Sequence, residues 1–284
     1  AYVLSMIRGE DQSKGGSSPI IRFILGFFVM IGALMFLGCP LRMILRLGGG
    51  DLNALFGIAG FAGGVGIGTI FLKRGYSLQR TYALSKLESA IMPAIQVGLL
   101  VLVVTAPAFI FFSQKGPGAM HAPWLISLAA GLVVGGLSQY SRLCTVGGFR
   151  DLFLFKKSVL IFGYIAVLVG VFAVNISFGN FHLGFENQPI AHADGLWNFL
   201  GMALAGFCSV LLGGCPLRQL IMTGEGNSDA AVTVLGLAAG AAFAHNFGLA
   251  ASGAGPTLNG EIAVGVGFVV ALIIAILNTK RANA

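Results

Sequence analysis

The chain has 284 residues, of which 56% are hydrophobic and 10% are charged, and its formal net charge is +7 at pH 7. A soluble domain has about 25% charged residues, so this composition and a mean hydropathy of +0.90 exclude a soluble globular protein and predict a chain embedded in a lipid bilayer. The Lys and Arg residues are scattered among short connections, which argues against nucleic-acid binding.

Mostly apolar runs, each long enough for a helix that crosses a bilayer, recur along the whole chain. Such a helix needs about 20 residues, and we find eight candidates: 19–38, 53–72, 89–112, 122–140, 158–178, 196–214, 230–250 and 261–277. Glycine is frequent, with 43 residues, and small residues let membrane helices approach closely. We therefore predict an all-α integral membrane protein with about eight transmembrane helices, forming a single domain over residues 1–284.

Basic residues in the connections predict the orientation of these helices, because cytoplasmic connections carry an excess of Lys and Arg. The connection 73–88, the segment 150–157 and the tail at 280–281 are basic, whereas the connection 179–195 has neither Lys nor Arg. With eight crossings the three basic segments fall on one side, which we predict to be cytoplasmic. Arg42 and Arg46 fall on the other side, so we expect them to serve something other than topology.

The sequence Gly-Cys-Pro-Leu-Arg occurs twice, at Gly38–Arg42 and at Gly214–Arg218, each time at the end of an apolar run. The match continues through Gly48 and Gly50, which align with Gly224 and Gly226. Five predicted spans separate the two copies, and an odd number places them in opposite orientations in the membrane. Inverted repeats with interrupted helices are typical of transporters.

The duplication predicts two repeat halves, approximately 1–115 and 116–284. The segment 141–151, with the sequence SRLCTVGGFRD, has no visible counterpart in the first half. Its counterpart would precede Ala1, so we expect the N-terminal part of the first repeat to be absent from this sequence.

Each Gly-Cys-Pro-Leu-Arg motif predicts a helix break followed by a new short helix. Proline lacks a backbone donor but suits the first position of a helix, so Pro40 and Pro216 are expected to begin short helices. Cys39 and Cys215 would then be the N-cap residues. The N–H groups at such a helix start are electropositive and bind anions, and interrupted backbone within a bilayer is tolerated only where it is buried or lines a cavity.

Thiols at these positions indicate the kind of anion. A thiol is a weak, soft hydrogen-bonding group, and it suits a sulfur or selenium atom better than the oxygen atoms of phosphate or sulfate. Cys39, Cys144 and Cys215, with Arg42 and Arg218 as fixed positive charges, would fit an anion with a sulfur end and an oxygen end, such as thiosulfate. The alternative for any one of these cysteines is a small packing residue, and Cys208 fits that interpretation.

Four further polar residues have two interpretations. Arg150 and Asp151 contribute to a site or simply pair at a helix end. His245 and Asn246 lie in the seventh run, where ionisable groups are often functional, but they could also bond only to neighbouring backbone. His121, His182 and His192 fall in predicted loops, where we expect them to be solvated.

Three functions remain open from the residues. The first is a membrane transporter or channel for a sulfur- or selenium-containing anion, for which we expect no enzymatic activity, cofactor or metal. The Gly-rich stretches lack the phosphate-binding pattern of an ATP site. The second is a membrane thiol–disulfide oxidoreductase, although the sequence has no C-x-x-C pair. The third is a soft-metal transporter, which an Arg beside each motif cysteine disfavours.

The paired GCPLR motifs, the SRLCTVGGFRD segment and the Gly-rich helices resemble the YeeE/YedE family of bacterial inner-membrane proteins over nearly the whole chain. The sequence looks most like the YedE branch, which is linked to selenium metabolism, and the related branch imports thiosulfate. The resemblance implies an hourglass-like fold with a central path lined by cysteines, which here are Cys39, Cys144 and Cys215. It also implies a cytoplasmic sulfur-carrier partner of the TusA type.

Overall fold

The computed structural model describes residues 1–8, 13–106, 109, 111, 114, 119 and 122–279. Lys280 and Arg281, which contribute to the predicted orientation, lie outside the described residues, and so does His121.

Helices make up most of the described chain, with one short antiparallel ribbon. In chain order the elements are α1 (Tyr2–Arg8), β1 (Lys14–Gly15), α2 (Pro19–Phe36), α3 (Pro40–Gly48), α4 (Asn53–Lys73), β2 (Tyr82–Ala83), α5 (Lys86–Thr105), α6 (Trp124–Ser141), α7 (Thr145–Phe155), α8 (Val159–Ser177), α9 (Gly195–Leu211), α10 (Pro216–Gly224), α11 (Ser228–Asn246) and α12 (Leu258–Leu277).

Eight helical segments in the described part of the chain are long and apolar enough to cross a membrane. Three of these segments are bent pairs in which a short helix follows a long one, namely α2–α3, α6–α7 and α9–α10. The prediction of an all-α membrane protein with eight spans is therefore confirmed.

The chain divides into two compact units. Unit 1 comprises Ala1–Ser17, Arg80–Leu143 and Leu220–Ala231, and it contains the β1–β2 ribbon, α5 and α6. Unit 2 comprises Ser18–Gln79, Cys144–Gln219 and Val232–Ala284. Unit 2 contains every residue that the sequence marks as a site candidate.

Unit 2 is built around α9, which packs against α2 and α4. Its core contains large apolar side chains such as Phe61, Phe207 and Leu204, each almost fully buried. The helices approach so closely that glycines of one contact carbonyl oxygens of the next. These contacts are Gly60 with Phe199, Gly64 with Ala203, Gly236 with Phe23 and Gly240 with Phe27.

These glycine contacts repeat the duplication seen in the sequence. Gly60 and Gly236 are separated by the same number of residues as Gly38 and Gly214, and so are their partners Phe23 and Phe199. The packing of α4 on α9 is therefore reproduced by the packing of α11 on α2.

Both long helices that precede a motif end in a left-handed residue. Leu37 follows α2 with φ 61°, and Gly213, at the equivalent position of the second copy, has φ 82°. Glycine adopts this conformation without a steric penalty. The next helix then begins at Pro40 with Cys39 as its N-cap, as predicted.

A helix that ends inside a bilayer leaves carbonyl groups that need hydrogen-bond donors. Three carbonyls at the end of α2 accept hydrogen bonds from three other parts of unit 2. The backbone N–H of Ala251 donates to Leu34 at 3.2 Å, the ring of His192 donates to Met35 at 2.8 Å, and the guanidinium of Arg46 donates to Phe36.

Arg46 makes two further contacts at this helix end. Its Nε donates to Asp51 at 2.6 Å, and its guanidinium lies 4.0 Å from the centre of the Phe36 ring. Asp51 in turn accepts from the backbone of Asn53 at the start of α4. The expectation that Arg46 serves something other than topology therefore agrees with a structural role at the helix break.

Candidate functional site

Each of the three short helices begins directly after a cysteine. Cys39 precedes α3, Cys144 precedes α7 and Cys215 precedes α10. The sulfur of Cys144 accepts a hydrogen bond from the backbone N–H of Gly147 at 3.4 Å, whereas the Cys39 side chain makes no such bond to its own helix. Cys144 and Cys215 are buried and Cys39 is half-buried.

The starts of α7 and α10 lie close together, and their cysteines are near enough to interact electrostatically. The thiol of Cys144 lies near the backbone N–H of Cys215, and the thiol of Cys215 lies near those of Thr145 and Arg218. Two electropositive helix ends therefore meet at a pair of sulfur atoms.

Tyr164 connects this pair to the third cysteine. Its buried hydroxyl accepts a hydrogen bond from the Thr145 hydroxyl at 2.6 Å, and it lies within electrostatic range of Cys39, Cys144 and Cys215. The sequence analysis missed Tyr164. Its signal is a single phenol in the middle of the mostly apolar run that forms α8, because polar groups inside membrane spans are often functional.

The two motif arginines fold back over the glycines that begin their motifs. A methyl group at Gly38 would lie 2.8 Å from the side chain of Arg42, and one at Gly214 would lie 3.4 Å from that of Arg218. Both arginines are half-buried. Each motif glycine thus leaves room for a positive side chain beside the helix break.

The prolines of the two motifs are buried, and each occupies the first position of its short helix. Pro40 begins α3 and Pro216 begins α10. Neither proline has a backbone N–H, so neither adds a donor to the helix start. The N–H groups of the residues that follow therefore provide the electropositive end.

Arg150 and Asp151 form an ion pair on α7 with a nitrogen–oxygen distance of 2.8 Å, which agrees with the simpler of the two interpretations. Arg150 also lies within electrostatic range of Cys144. The pair is partly exposed, with side-chain exposures of 32% and 25%, so its charges are partly screened.

His245 and Asn246 lie at the C-terminal end of α11, and both are exposed. The Asn246 amide donates to the Ala242 carbonyl of its own helix at 2.8 Å, as its simpler interpretation predicts. The three motif cysteines lie within electrostatic range of Tyr164, whereas these two residues lie at an exposed helix end.

The expectation for His192 is wrong. It is 3% exposed rather than solvated, because the connection after α8 folds inward and brings its ring to the end of α2. Burial lowers the pKa of His192, and the nearby Arg46 acts in the same direction. The ring is therefore held neutral.

The described residues offer no group of three or more His, Cys, Asp or Glu side chains that could hold a metal ion. All four cysteines are free thiols. Cys208 is fully buried in the apolar core of unit 2, as expected for a packing residue.

Comparison with known proteins bears on the segment that contains the pair Cys144 and Cys215. The family model described as sulphur transport matches residues 140–279, a range that includes both Cys144 and Cys215. Over the second half of its length, the chain is therefore similar to the sulphur transport family.

A relative supports the similarity to the sulphur transport family. The thiosulfate transporter TsuA of Escherichia coli (strain K12) is 27% identical over 115 residues. The match covers 38% of this chain and 30% of the relative, so the chain spans less than a third of that transporter's length. With eight candidate spans and this similarity, the chain is a multi-pass membrane protein.

Proposed function

We propose that the chain is a membrane transporter that imports a sulfur- or selenium-containing anion, thiosulfate or a related compound. The observation that carries the proposal is the proximity of Cys144 and Cys215 at the starts of α7 and α10. The relative named as a thiosulfate transporter supports the same class of substrate.

The proposed path uses Cys39, Cys144 and Cys215 as successive contacts for the sulfur atom of the anion. A thiol donates a weak hydrogen bond, so each contact holds the anion loosely enough to release it to the next. Helix-start N–H groups stabilise its negative charge, and Arg42 and Arg218 attract it towards the breaks. The path needs no covalent step.

The proposed setting is the inner membrane of a bacterium, with the basic connections in the cytoplasm. A cytoplasmic sulfur-carrier protein of the TusA type is the proposed partner that takes the sulfur after import. Consumption of the anion inside would then draw further transport.

One observation favours a second function, a membrane thiol–disulfide oxidoreductase. Cys144 and Cys215 lie close to each other, as a redox pair would. Mapping of disulfides by mass spectrometry separates the two functions. An oxidoreductase would interconvert a Cys144–Cys215 disulfide during turnover, whereas the proposed transporter keeps both thiols reduced while anion crosses the membrane.

Uptake of radiolabelled thiosulfate into proteoliposomes tests the transport function directly. We expect Cys39→Ser, Cys144→Ser and Cys215→Ser each to reduce uptake to near background, because a hydroxyl is a harder group than a thiol and fits the sulfur atom poorly. Each variant should still reconstitute in the same amount as the unmodified protein.

Cys208→Ser is the matched control, since it makes the same atomic change in a buried cysteine of α9 that lies in the apolar core. We expect this variant to keep its uptake. Full uptake in all three motif variants would reject the proposed path, and equal loss in the Cys208 variant would indicate a general defect in folding.

A further inference from the structure

A polar cavity of about 490 Å³ lies beside α3 in unit 2, apart from the cysteine cluster. The end of α8 and the connection between α8 and α9 complete its wall. The polar residues that line it include Arg42, Arg46, Asp51, Asn175, Asn180 and His182. No cysteine is among its lining residues.

The charge of the cavity is positive. Arg46 and Asp51 pair at 2.6 Å and offset each other, so Arg42 supplies the charge that no acid of the lining compensates. Within the described residues, Nε of Arg42 and Nη2 of Arg46 are buried and have no hydrogen-bond partner. A guanidinium charge that no lining acid balances favours an anion in the cavity.

The donors of the cavity are suited to oxygen. Guanidinium groups bind the oxygen atoms of tetrahedral anions through charge-assisted hydrogen bonds, and the side chains of Asn180 and His182 supply further polar contacts at the exposed rim. The volume of about 490 Å³ leaves space for an anion together with part of its hydration shell.

Arg42 connects this cavity to the cysteine path. It follows Cys39 by three residues, and its side chain lies against Gly38 at the helix break while also lining the cavity. A group held at Arg42 is therefore adjacent to the start of α3, where the Cys39 thiol lies.

We propose that this cavity is a capture site that binds tetrahedral oxyanions by their oxygen atoms, separately from the thiols that bind sulfur. Sulfate, which has oxygen atoms but no terminal sulfur, binds here and is not passed on. Its role as the first site of a transport path rests on the proposed function, but the binding itself does not.

Equilibrium dialysis of radiolabelled sulfate against the purified protein in detergent measures this site without transport. We expect saturable binding that is weakened about tenfold or more by Arg42→Gln, as the loss of a charge-assisted hydrogen bond predicts. Asn180→Asp, which places a negative charge at the exposed rim, should weaken binding similarly.

Asn259→Asp is the matched control, because it makes the same charge change at another exposed position of unit 2, at the start of α12. It should leave sulfate binding unchanged. Because Asn180 is exposed, its variant also keeps the test valid if Arg42→Gln does not fold. Absence of sulfate binding, or binding that neither Arg42→Gln nor Asn180→Asp weakens, overturns the proposal.

The two proposals fail separately. Sulfate binding with the expected variant pattern, in a protein that takes up no thiosulfate, retains the capture site and rejects the transport function. Thiosulfate uptake that sulfate does not inhibit, in a protein that binds no sulfate, rejects the capture site alone.

Discussion

Gly38 has a role that its small size explains. A methyl group at this position would lie 2.8 Å from Cδ of Arg42, and also close to two further carbons of the same side chain. Real Cβ atoms rarely approach other atoms so closely, so the arginine has to move if the glycine is replaced. The position of the guanidinium thus depends on a residue that carries no side chain.

Gly38→Ala should therefore lower thiosulfate uptake severalfold without preventing insertion, because the positive charge is displaced rather than removed. Uptake into proteoliposomes provides the measurement. Gly170→Ala is the control, since a methyl group there would meet no atom within 4 Å, and its uptake should not change. Equal uptake by the two variants would mean that the position of Arg42 does not matter.

At the scale of elements, the break between α2 and α3 depends on the pair of Arg46 and Asp51. Arg46 supplies a donor to the Phe36 carbonyl, and Asp51 holds Arg46 and the start of α4. The second copy of the motif has Met222 and Asn227 at the equivalent positions. There the Leu212 carbonyl, which is equivalent to that of Phe36, accepts from the Gln219 amide instead.

Arg46→Met should lower the free energy of unfolding by about 3–5 kcal/mol, because it leaves the buried charge of Asp51 unpaired. The double variant Arg46→Met with Asp51→Asn should recover part of this loss, since it removes both charges, as in the second copy. Unfolding in mixed micelles with sodium dodecyl sulfate measures both. If Asp51→Asn lowers the stability of the Arg46→Met variant as much as it lowers that of the unmodified protein, the two charges are not coupled.

Close helix packing in unit 2 predicts a second effect at this scale. A methyl group at Gly60 would lie 2.0 Å from the Phe199 carbonyl oxygen, and one at Gly236 would lie 2.2 Å from that of Phe23. Because a backbone oxygen cannot move aside, Gly60→Ala and Gly236→Ala should each destabilise the protein by at least about 1–3 kcal/mol.

Gly265→Ala on α12 is the control for these two variants, because a methyl group there meets nothing within 4 Å. Alanine favours a helix over glycine by about 1 kcal/mol, so this variant should be as stable as the unmodified protein or slightly more stable. The same unfolding titration compares all three. Similar stability in all three variants would contradict the close packing at Gly60 and Gly236.

For the whole molecule, burial of His192 makes stability depend on pH. Its pKa is lowered in the folded state, first by burial, with Arg46 acting in the same direction and with the Met35 hydrogen bond and the carboxylates of Asp194 and Asp51 opposing. The folded state then binds fewer protons than the unfolded state as the pH falls below the ordinary histidine value of about 6.5. Stability should be complete above that pH and should decrease below it.

Below the ordinary histidine pKa, the free energy of unfolding can fall by up to about 1.4 kcal/mol per pH unit. His192→Gln keeps an amide donor for the Met35 carbonyl but cannot titrate, so the difference between the two proteins isolates the histidine. We expect the melting temperature of the unmodified protein to fall more steeply from pH 7 to pH 5 than that of the variant. Parallel curves would mean that His192 is not held neutral.

Several features of the molecule could be predicted from the sequence because their causes are local. Continuous apolar runs determined the eight spans, and the Gly-Cys-Pro signal determined where α3 and α10 begin. Proline restricts the backbone wherever it stands, and a lipid-embedded helix needs apolar residues along its whole length. The duplication was also visible, because its two copies kept the same residue types at the same spacing.

Only the tertiary structure decided which distant groups meet. Sequence spacing did not show that Cys144 lies close to Cys215, that Tyr164 lies within electrostatic range of all three motif cysteines, or that the ring of His192 reaches the end of α2. A polar residue in a connection looks solvated in the sequence, whether the connection folds inward or outward. Each of these contacts joins residues on separate elements, and the packing of whole helices, rather than the preference of any one residue, determines their positions.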